Sequence, residues 1–480
     1  MWIVYSLIVV FIGVISVVVI RTLGFKPEPL KAEKAEVIKI DEARVIESLQ
    51  AMIRFKTVSF KDKTKEDPST FKGFQDYLKT RYPLIHEKAK FYSIEETGLL
   101  FELKVKKPSK TVVLMSHYDV VPENGTWSED PFSGNIIEGK IYGRGTLDTK
   151  TTLCAVMESV EHSLKTNAKL DYDLYLAFSG DEETRGPSAD NIVQFLKTKG
   201  VAPDFVLDEG GAVVENVFPG VKKKAAMVGL AEKGYINMRV EAKAQGGHAS
   251  MPSKITPITE LAKAVENLNK GTLFKLKKTP ATMQMFDTIA RHSTSFVNRM
   301  VFANVWLFWP LVKLMAKKSD GELLSLLHTT QAFTQMQGSD AMNVLPSQAS
   351  LGINYRILTN ESIESVTKQV IKRIDNKNLN IEVVQGANPT SISETSKSYE
   401  VLKETILSMW EDVVPTPYLM MAGTDSRYYH DISTHVYRFS PMTMTASERA
   451  TIHSTEEAIR IEELLHCVKF YIHLLKNLNE

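Results

Sequence analysis

From about residue 41 onward, short apolar runs alternate with helix-periodic segments. That alternation restricts the chain to an α/β fold with a largely parallel sheet. Thr111–Ser116 (TVVLMS) and Asp173–Ser179 (DLYLAFS) read as buried strands, and Phe205–Leu207 with its flanks as a third. Between the first two, Leu153, Val156, Met157, Val160 and Leu164 share one helical face.

Each of these strands runs into ionisable residues. The first ends in His117-Tyr118-Asp119, the second in Asp181-Glu182-Glu183, the third in Asp208-Glu209-Gly210-Gly211. A fourth group, Gly143-Arg144-Gly145-Thr146-Leu147-Asp148, lies just before the helix. Open α/β sheets bind ligands outside the carboxyl ends of their strands. The four groups are therefore expected to converge on one edge. Adjacent carboxylates there repel unless a cation or a proton compensates, and mixed His/carboxylate donors suit zinc. Taken singly, a His-x-Asp is usually a satisfied surface pair and an Asp-Glu-Glu run usually a solvated loop. The joint occurrence carries the signal.

The second half reads differently. Gly234–Lys243 alternates like a half-exposed strand, and Ile255–Leu268 is helical in pattern. Two strand-like runs flank Asn343–Pro346, then come a helix at Ile363–Ile374 and a strand at Ile381–Val384. This order predicts a ferredoxin-like α+β unit inserted into the first domain. Ser454-x-x-Glu457 reads as a capping box opening a terminal helix that runs to about residue 477. The expected boundaries are an anchor at 1–21, a charged linker at 22–40, a catalytic domain at 41–228 and 388–480, and the insertion at 229–387.

Residues 2–20 (WIVYSLIVVFIGVISVVVI) contain no charge. At 1.5 Å per residue they span roughly 28 Å, about one hydrocarbon core. No basic residue precedes the run and no small-residue cleavage site follows it, so an uncleaved single-pass anchor fits better than a signal peptide. Arg21, Lys26, Lys31, Lys34 and Lys39 follow it, and the positive-inside rule places the main domain in the cytoplasm. A second apolar stretch, residues 300–316 (MVFANVWLFWPLVKLMA), is short and broken by Asn304 and Pro310. It reads either as a core helix pair of the insertion or as a surface that touches lipid or an acyl chain. The balance of 58 Lys+Arg against 57 Asp+Glu gives no basic field for nucleic acid. Two cysteines, Cys154 and Cys467, cannot build a disulfide framework.

Six motifs carry a resemblance: SHYDVVP at 116–122, GRGTLDTK at 143–150, SGDEETRG at 179–186, LDEGG at 207–211, GGHASMP at 246–252 and IHSTEE at 452–457. In these the chain resembles the dizinc exopeptidases that include carboxypeptidase S, aminoacylases and succinyl-diaminopimelate desuccinylase. The nearest branch is that of carboxypeptidase S and the N-fatty-acyl-amino-acid synthase/hydrolase. The resemblance implies a zinc-exopeptidase catalytic domain, an inserted lid/dimerisation domain and two Zn2+ ions. Asp148 would bridge them, with His117 and Asp208 completing one site and Glu183 and His453 the other. Glu209 is the rival to Asp208. Asp119 would fix the tautomer of His117, and Glu182 would be the general base.

From the insertion, His248 would reach an active site across domains or subunits, and Asn343 and Arg356 would hold the substrate's carboxylate. Gly423 and Thr424, in the loop to Arg427, would line the substrate pocket. The implied substrate is a peptide or an N-acyl amino acid. An inactive homologue is the rival from another class, and the presence of every ligand-type residue argues against it. The relatives so implied act in a vacuole or outside the cell, which points the anchored domain to an extracytoplasmic or lumenal side against its basic flank.

Overall fold

The computed structural model describes residues 1–27, 34–215, 220–318 and 321–479. At its centre four strands run parallel, in the order Asp173–Ser179, Thr111–His117, Phe205–Asp208, Val436–Arg438. All four are buried nearly throughout, which explains their continuous apolar runs in place of alternation. Register aligns their carboxyl ends: His117 sits opposite Ser179, and Asp208 opposite Arg438. Antiparallel strands Lys90–Ile94 and Gly98–Leu103 extend one side. Lys224–Glu232, paired in parallel with Val413–Met420, extends the other.

The helix Lys150–Lys165 packs with Ile461–Asn477 over one face, in a core that includes Leu153, Val156, Met157, Leu464 and Val468. Ser188–Thr198 covers the opposite face through Ile192, Val193 and Leu196.

The insertion holds a four-stranded antiparallel sheet in the order Thr330–Gln337, Gln348–Ile357, Gly234–Lys243, Asn380–Ala387. Numbered along the chain, the strands lie 2-3-1-4, the ferredoxin-like order expected. Helices Pro257–Asn269 and Ile363–Ile374 bury Leu261, Ala264, Val366 and Val370 against it.

The apolar 300–316 segment forms a helix pair within the insertion's limits, part buried and part exposed, but it does not pack on this lid sheet. Helices Pro280–His292, Phe296–Ala303 and Val305–Lys318 form a separate core with Ala231 and Leu419 of the catalytic sheet. Part of the charged linker is docked on the catalytic domain. Residues 28–33, including Lys31, lie outside the described residues, but Ala35 N–H donates to Ser408 and the Glu36 carbonyl meets His473 Nε2 at 3.0 Å. Ser454-x-x-Glu457 is no capping box: the terminal helix begins at Ile461, after a short strand Ala458–Arg460, with no side-chain cap.

Trp2–Gly24 is one continuous helix whose apolar side chains are almost all exposed. Its two buried residues are Val18 and Thr22. Both Cys154 and Cys467 are buried free thiols, so they form no disulfide bridge.

Candidate metal centre

The carboxyl ends of the central strands bring together two groups of potential metal ligands, and they share one residue. His117, Asp148 and Glu209 form the first; Asp148, Glu183 and His453 form the second. Within each, the ligand atoms lie within 4.8 Å of one another. Asp148 divides its carboxylate between them. Oδ1 lies 3.0 Å from His117 Nε2, and Oδ2 lies 3.1 Å from His453 Nε2. His453 Nε2 also lies 3.1 Å from the Glu183 carboxylate.

Asp119 sits behind both groups. It is fully buried, and its Oδ1 is 3.3 Å from His117 Nδ1. The same carboxylate accepts the backbone N–H groups of Glu182 and Glu183 at 3.1 and 3.0 Å, and the Ser59 hydroxyl at 2.6 Å. One buried residue thus orients a histidine, through its backbone carbonyl at 3.0 Å from Nδ1 as well as its carboxylate, and fixes the turn that carries two glutamates. Such partners of metal-binding histidines set the tautomer and ring orientation.

The loop bearing Asp148 is held from the C-terminal segment. Glu457 Oε1 accepts N–H from Gly145, Leu147 and Asp148 at 3.1, 2.7 and 3.2 Å. Its Oε2 accepts from Arg144 Nη1 at 2.6 Å, and Arg144 Nη2 donates to the carbonyl of Ser454, the residue after His453. A bridging-type aspartate and a histidine distant in sequence are therefore placed by one buried ion pair.

Electrostatics agree with a site meant for cations. Burial, then the neighbouring carboxylates, pushes Glu209 well above the usual carboxylate range. Glu182 is raised mainly by burial, and Glu183 is pushed up to about 7 by burial and by Asp148. His453, hydrogen-bonded to Asp148 and Glu183, is raised to about 10. So many acidic groups in a low-dielectric cleft is costly without compensating positive charge. The donor set, imidazole and carboxylate with one shared aspartate, fits a pair of divalent metal ions.

A family model described as peptidase family M20/M25/M40 matches residues 113–477. The chain belongs to this family. It is 34% identical to "Probable carboxypeptidase S-like 2" of Dictyostelium discoideum, over 97% of this chain and 92% of that protein. It is 31% identical to the N-fatty-acyl-amino acid synthase/hydrolase PM20D1 of Bos taurus, over 90% of this chain and 87% of that protein. Among solved structures, the M20 metallo-carboxypeptidase Sso-CP2 of Sulfolobus solfataricus superposes with a TM-score of 0.68. The alignment covers 91% of this chain and 99% of that one at 18% identity, a likeness of fold.

The M20 motifs place His117, Asp148, Glu183 and His453 together at the centre, with Asp119 behind them and Glu182 facing the cleft in a half-buried position. At the third strand the geometry differs from expectation. Glu209, not Asp208, joins His117 and Asp148. Asp208 turns inward: its oxygens accept N–H from Glu209 and from Ser426, each at 2.9 Å. The two are neighbours at a strand end, where successive side chains point to opposite faces, so identity and order alone did not tell which one faces the cleft.

Gly423 and Thr424 do line a cavity of about 290 Å³ beside Glu182, with Arg185, Tyr235 and Arg427. Arg356 approaches from the lid: burial, then Arg185 and Arg427, lowers its pKa, so three guanidiniums gather around Tyr235. His248 and Asn343 lie elsewhere, on a two-stranded ribbon of the lid. Both are exposed, and His248 Nδ1 contacts Ser250 Oγ at 2.7 Å. Neither lines the cavity beside Glu182.

Sequence reading missed Glu457, Arg144 and Arg185 as functional residues, although each lies inside a quoted motif. It also missed Glu232, which pairs with Arg438 at 2.6 Å, both fully buried, and accepts from Thr424 at 2.9 Å. The Glu232–Arg438 pair carried no sequence signal.

Proposed function

We propose that this chain is a membrane-anchored dizinc hydrolase that cleaves an amide bond to an amino acid bearing a free carboxylate, in the manner of a carboxypeptidase S-like exopeptidase. The observation that carries this reading is the pair of ligand groups meeting at Asp148, with Glu182 beside them and not among their members. His117, Asp148 and Glu209 would hold one zinc ion, and Asp148, Glu183 and His453 the other. When bound, the ions supply Lewis acidity and lower the pKa of water.

The protein's own residues do the rest. Glu182 accepts a proton from the attacking water and delivers it to the leaving nitrogen. Asp119 keeps the His117 ring oriented. Arg356, Arg185 and Arg427 offer planar donors to the substrate carboxylate, for which a guanidinium fork is suited. His248 and Asn343, exposed on the lid ribbon, would act on the centre of a second copy paired through the lid.

A specific observation favours a second reading, N-fatty-acyl-amino-acid hydrolysis or synthesis. A second cavity, of about 280 Å³, is lined by Gly210 and Ile452, the chain neighbours of Glu209 and His453, and by Met227, Met285, Met420 and Met444. Flexible thioether side chains adapt to irregular apolar chains. A cavity lined by Arg185 and Arg427 and a second one rich in methionine match a carboxylate and an acyl tail. The test compares hydrolysis of an N-oleoyl amino acid with that of a blocked dipeptide by metal-replete protein. Turnover of the peptide alone removes the acyl reading, and turnover of neither, with metal bound, removes both.

The helix Trp2–Gly24 is long and apolar enough to cross a membrane. We take it as the anchor, with the catalytic domain on the extracytoplasmic or lumenal side. Protease protection of sealed vesicles checks the side.

A further inference from the structure

The helix Val305–Lys318 has two apolar faces, and only one is used. Val305, Val312 and Ala316 are buried in the core shared with the catalytic sheet. Trp306, Leu307, Leu311 and Leu314 are exposed at 53, 39, 40 and 50%. With Pro310, also exposed, they recur at one- and four-residue steps and make a single stripe along the helix. At the start of the preceding helix, Phe296 and Val297 are exposed as well.

This stripe is tied to the anchor. The two helices meet at Asn304 with a bend of 113°. Into that bend fits the last turn of the anchor helix: Arg21 Nε donates to the Ala303 carbonyl at 2.7 Å, and Asn304 Nδ2 donates to Thr22 Oγ1 at 3.1 Å. Thr22 and Asn304 are fully buried. At 1.5 Å per residue, the 23 residues of the anchor helix reach roughly 35 Å, slightly more than a hydrocarbon core. The turn around Arg21 therefore marks the level at which the chain leaves the lipid.

The 14 residues of the Val305–Lys318 helix reach roughly 21 Å, short of a hydrocarbon core, and the 113° bend and one face buried on the catalytic sheet keep it from continuing the preceding helix across the bilayer. It lies beside the level where the anchor emerges. Lys317 and Lys318 close its C-terminal end and Lys313 lies on its flank. Apolar residues in the middle with lysines at the edge are the pattern of a helix lying in the headgroup layer.

We propose that the Trp306–Leu314 face is seated in the interfacial layer of the same bilayer that holds the anchor. The enzyme is then attached at two places, and its orientation to the membrane is fixed. This rests on the reading of residues 2–24 as a membrane span. The occupant is lipid, on two grounds: the stripe adjoins the anchor's exit point, and its flanking charges complement phosphate headgroups.

The experiment uses the full chain in phosphatidylcholine nanodiscs with brominated acyl chains. Both native thiols are buried, so single substitutions Leu311→Cys, Leu314→Cys, Ile12→Cys and Ile371→Cys accept an environment-sensitive fluorophore. The expected result is a blue shift and bromolipid quenching at 311, 314 and 12, with a water-like, iodide-quenched signal at Ile371, which is exposed on the lid. A water-like signal at both 311 and 314 with a lipid signal at 12 overturns the inference and leaves the anchor standing. A water-like signal at 12 overturns the anchor instead. Crosslinking of Leu311→Cys between two chains, without bromolipid quenching, would assign the face to a second copy and overturn the lipid reading.

Discussion

Asp119 lies behind His117, with Oδ1 3.3 Å from Nδ1, while both of its oxygens receive the backbone N–H groups of Glu182 and Glu183. Replacing it therefore acts on ligand and base together. We expect Asp119→Ala to weaken metal binding by about 10–100-fold, the range for partners of ligating histidines. Asp119→Asn, which keeps one acceptor oxygen, should lose less. Equilibrium metal titration against a chromogenic chelator checks this. Unchanged affinity in Asp119→Ala would remove the orienting role.

On the proposed reading Glu182 moves protons and does not hold metal, in keeping with its absence from both ligand groups. Glu182→Gln is expected to keep full metal content and lose about 10²–10⁴-fold in kcat. Elemental analysis beside steady-state kinetics separates the two properties. Loss of metal in this variant would make Glu182 a ligand.

At the third strand end the structure separates two acidic neighbours. Glu209→Gln should lose close to half of the bound metal. Asp208→Asn should keep both ions and instead loosen the 424–426 turn that Asp208 holds through Ser426 N–H. Equal metal loss in both variants would contradict the assignment.

Proton release should accompany metal uptake. Without metal, Glu183 is pushed up to about 7 and His453 up to about 10, so both hold protons in weakly acidic solution. A ligating carboxylate must be ionised and a ligating imidazole neutral. Affinity should therefore fall as the pH drops below about 7, and rise through the alkaline range toward the His453 value. Calorimetry in buffers of different ionisation enthalpy reads the protons directly. A titration with no buffer dependence just below the Glu183 value of about 7 would refute this.

The Glu457–Arg144 pair is buried at both ends, with side-chain exposures of 0 and 1%. Removing one partner of such a pair costs about 3–5 kcal/mol, because the other charge is left uncompensated. Glu457→Ala should lower the thermal midpoint and the metal affinity together. Arg144→Lys, which keeps the charge but loses the second donor to Ser454, should affect metal affinity more than stability. Differential scanning fluorimetry with and without metal checks both.

Much of this was legible in the sequence, for identifiable reasons. The central strands are buried on both faces, so their apolar runs stood out, and the ligating residues follow them at fixed offsets. The lid order followed from periodicity alone. What was illegible depends on side-chain direction or on distant pairing. Asp208 and Glu209 differ only in which way each points. Glu457 looked like half of a helix cap because Ser454 stands three residues before it, whereas its carboxylate is spent on the loop at 143–148. Glu232 and Arg438 are joined across the fold, and no local pattern announces them. For the 300–316 segment the sequence leaves two readings open, a core helix pair of the insertion or an exposed apolar surface, and does not say which sheet it packs on. Its side chains match the apolar surface around Leu419.

The order in which the centre is made follows from its layout along the chain. His117, Asp148, Glu183 and Glu209 all precede the lid, while His453 and the Glu457 carboxylate that steadies Asp148 come after it. On the proposed reading, a chain growing from its N-terminus makes its anchor first and then four candidate ligands that lack both their last partner and their brace. Hydrolytic competence is therefore withheld until the lid has been synthesised and the closing segment docks.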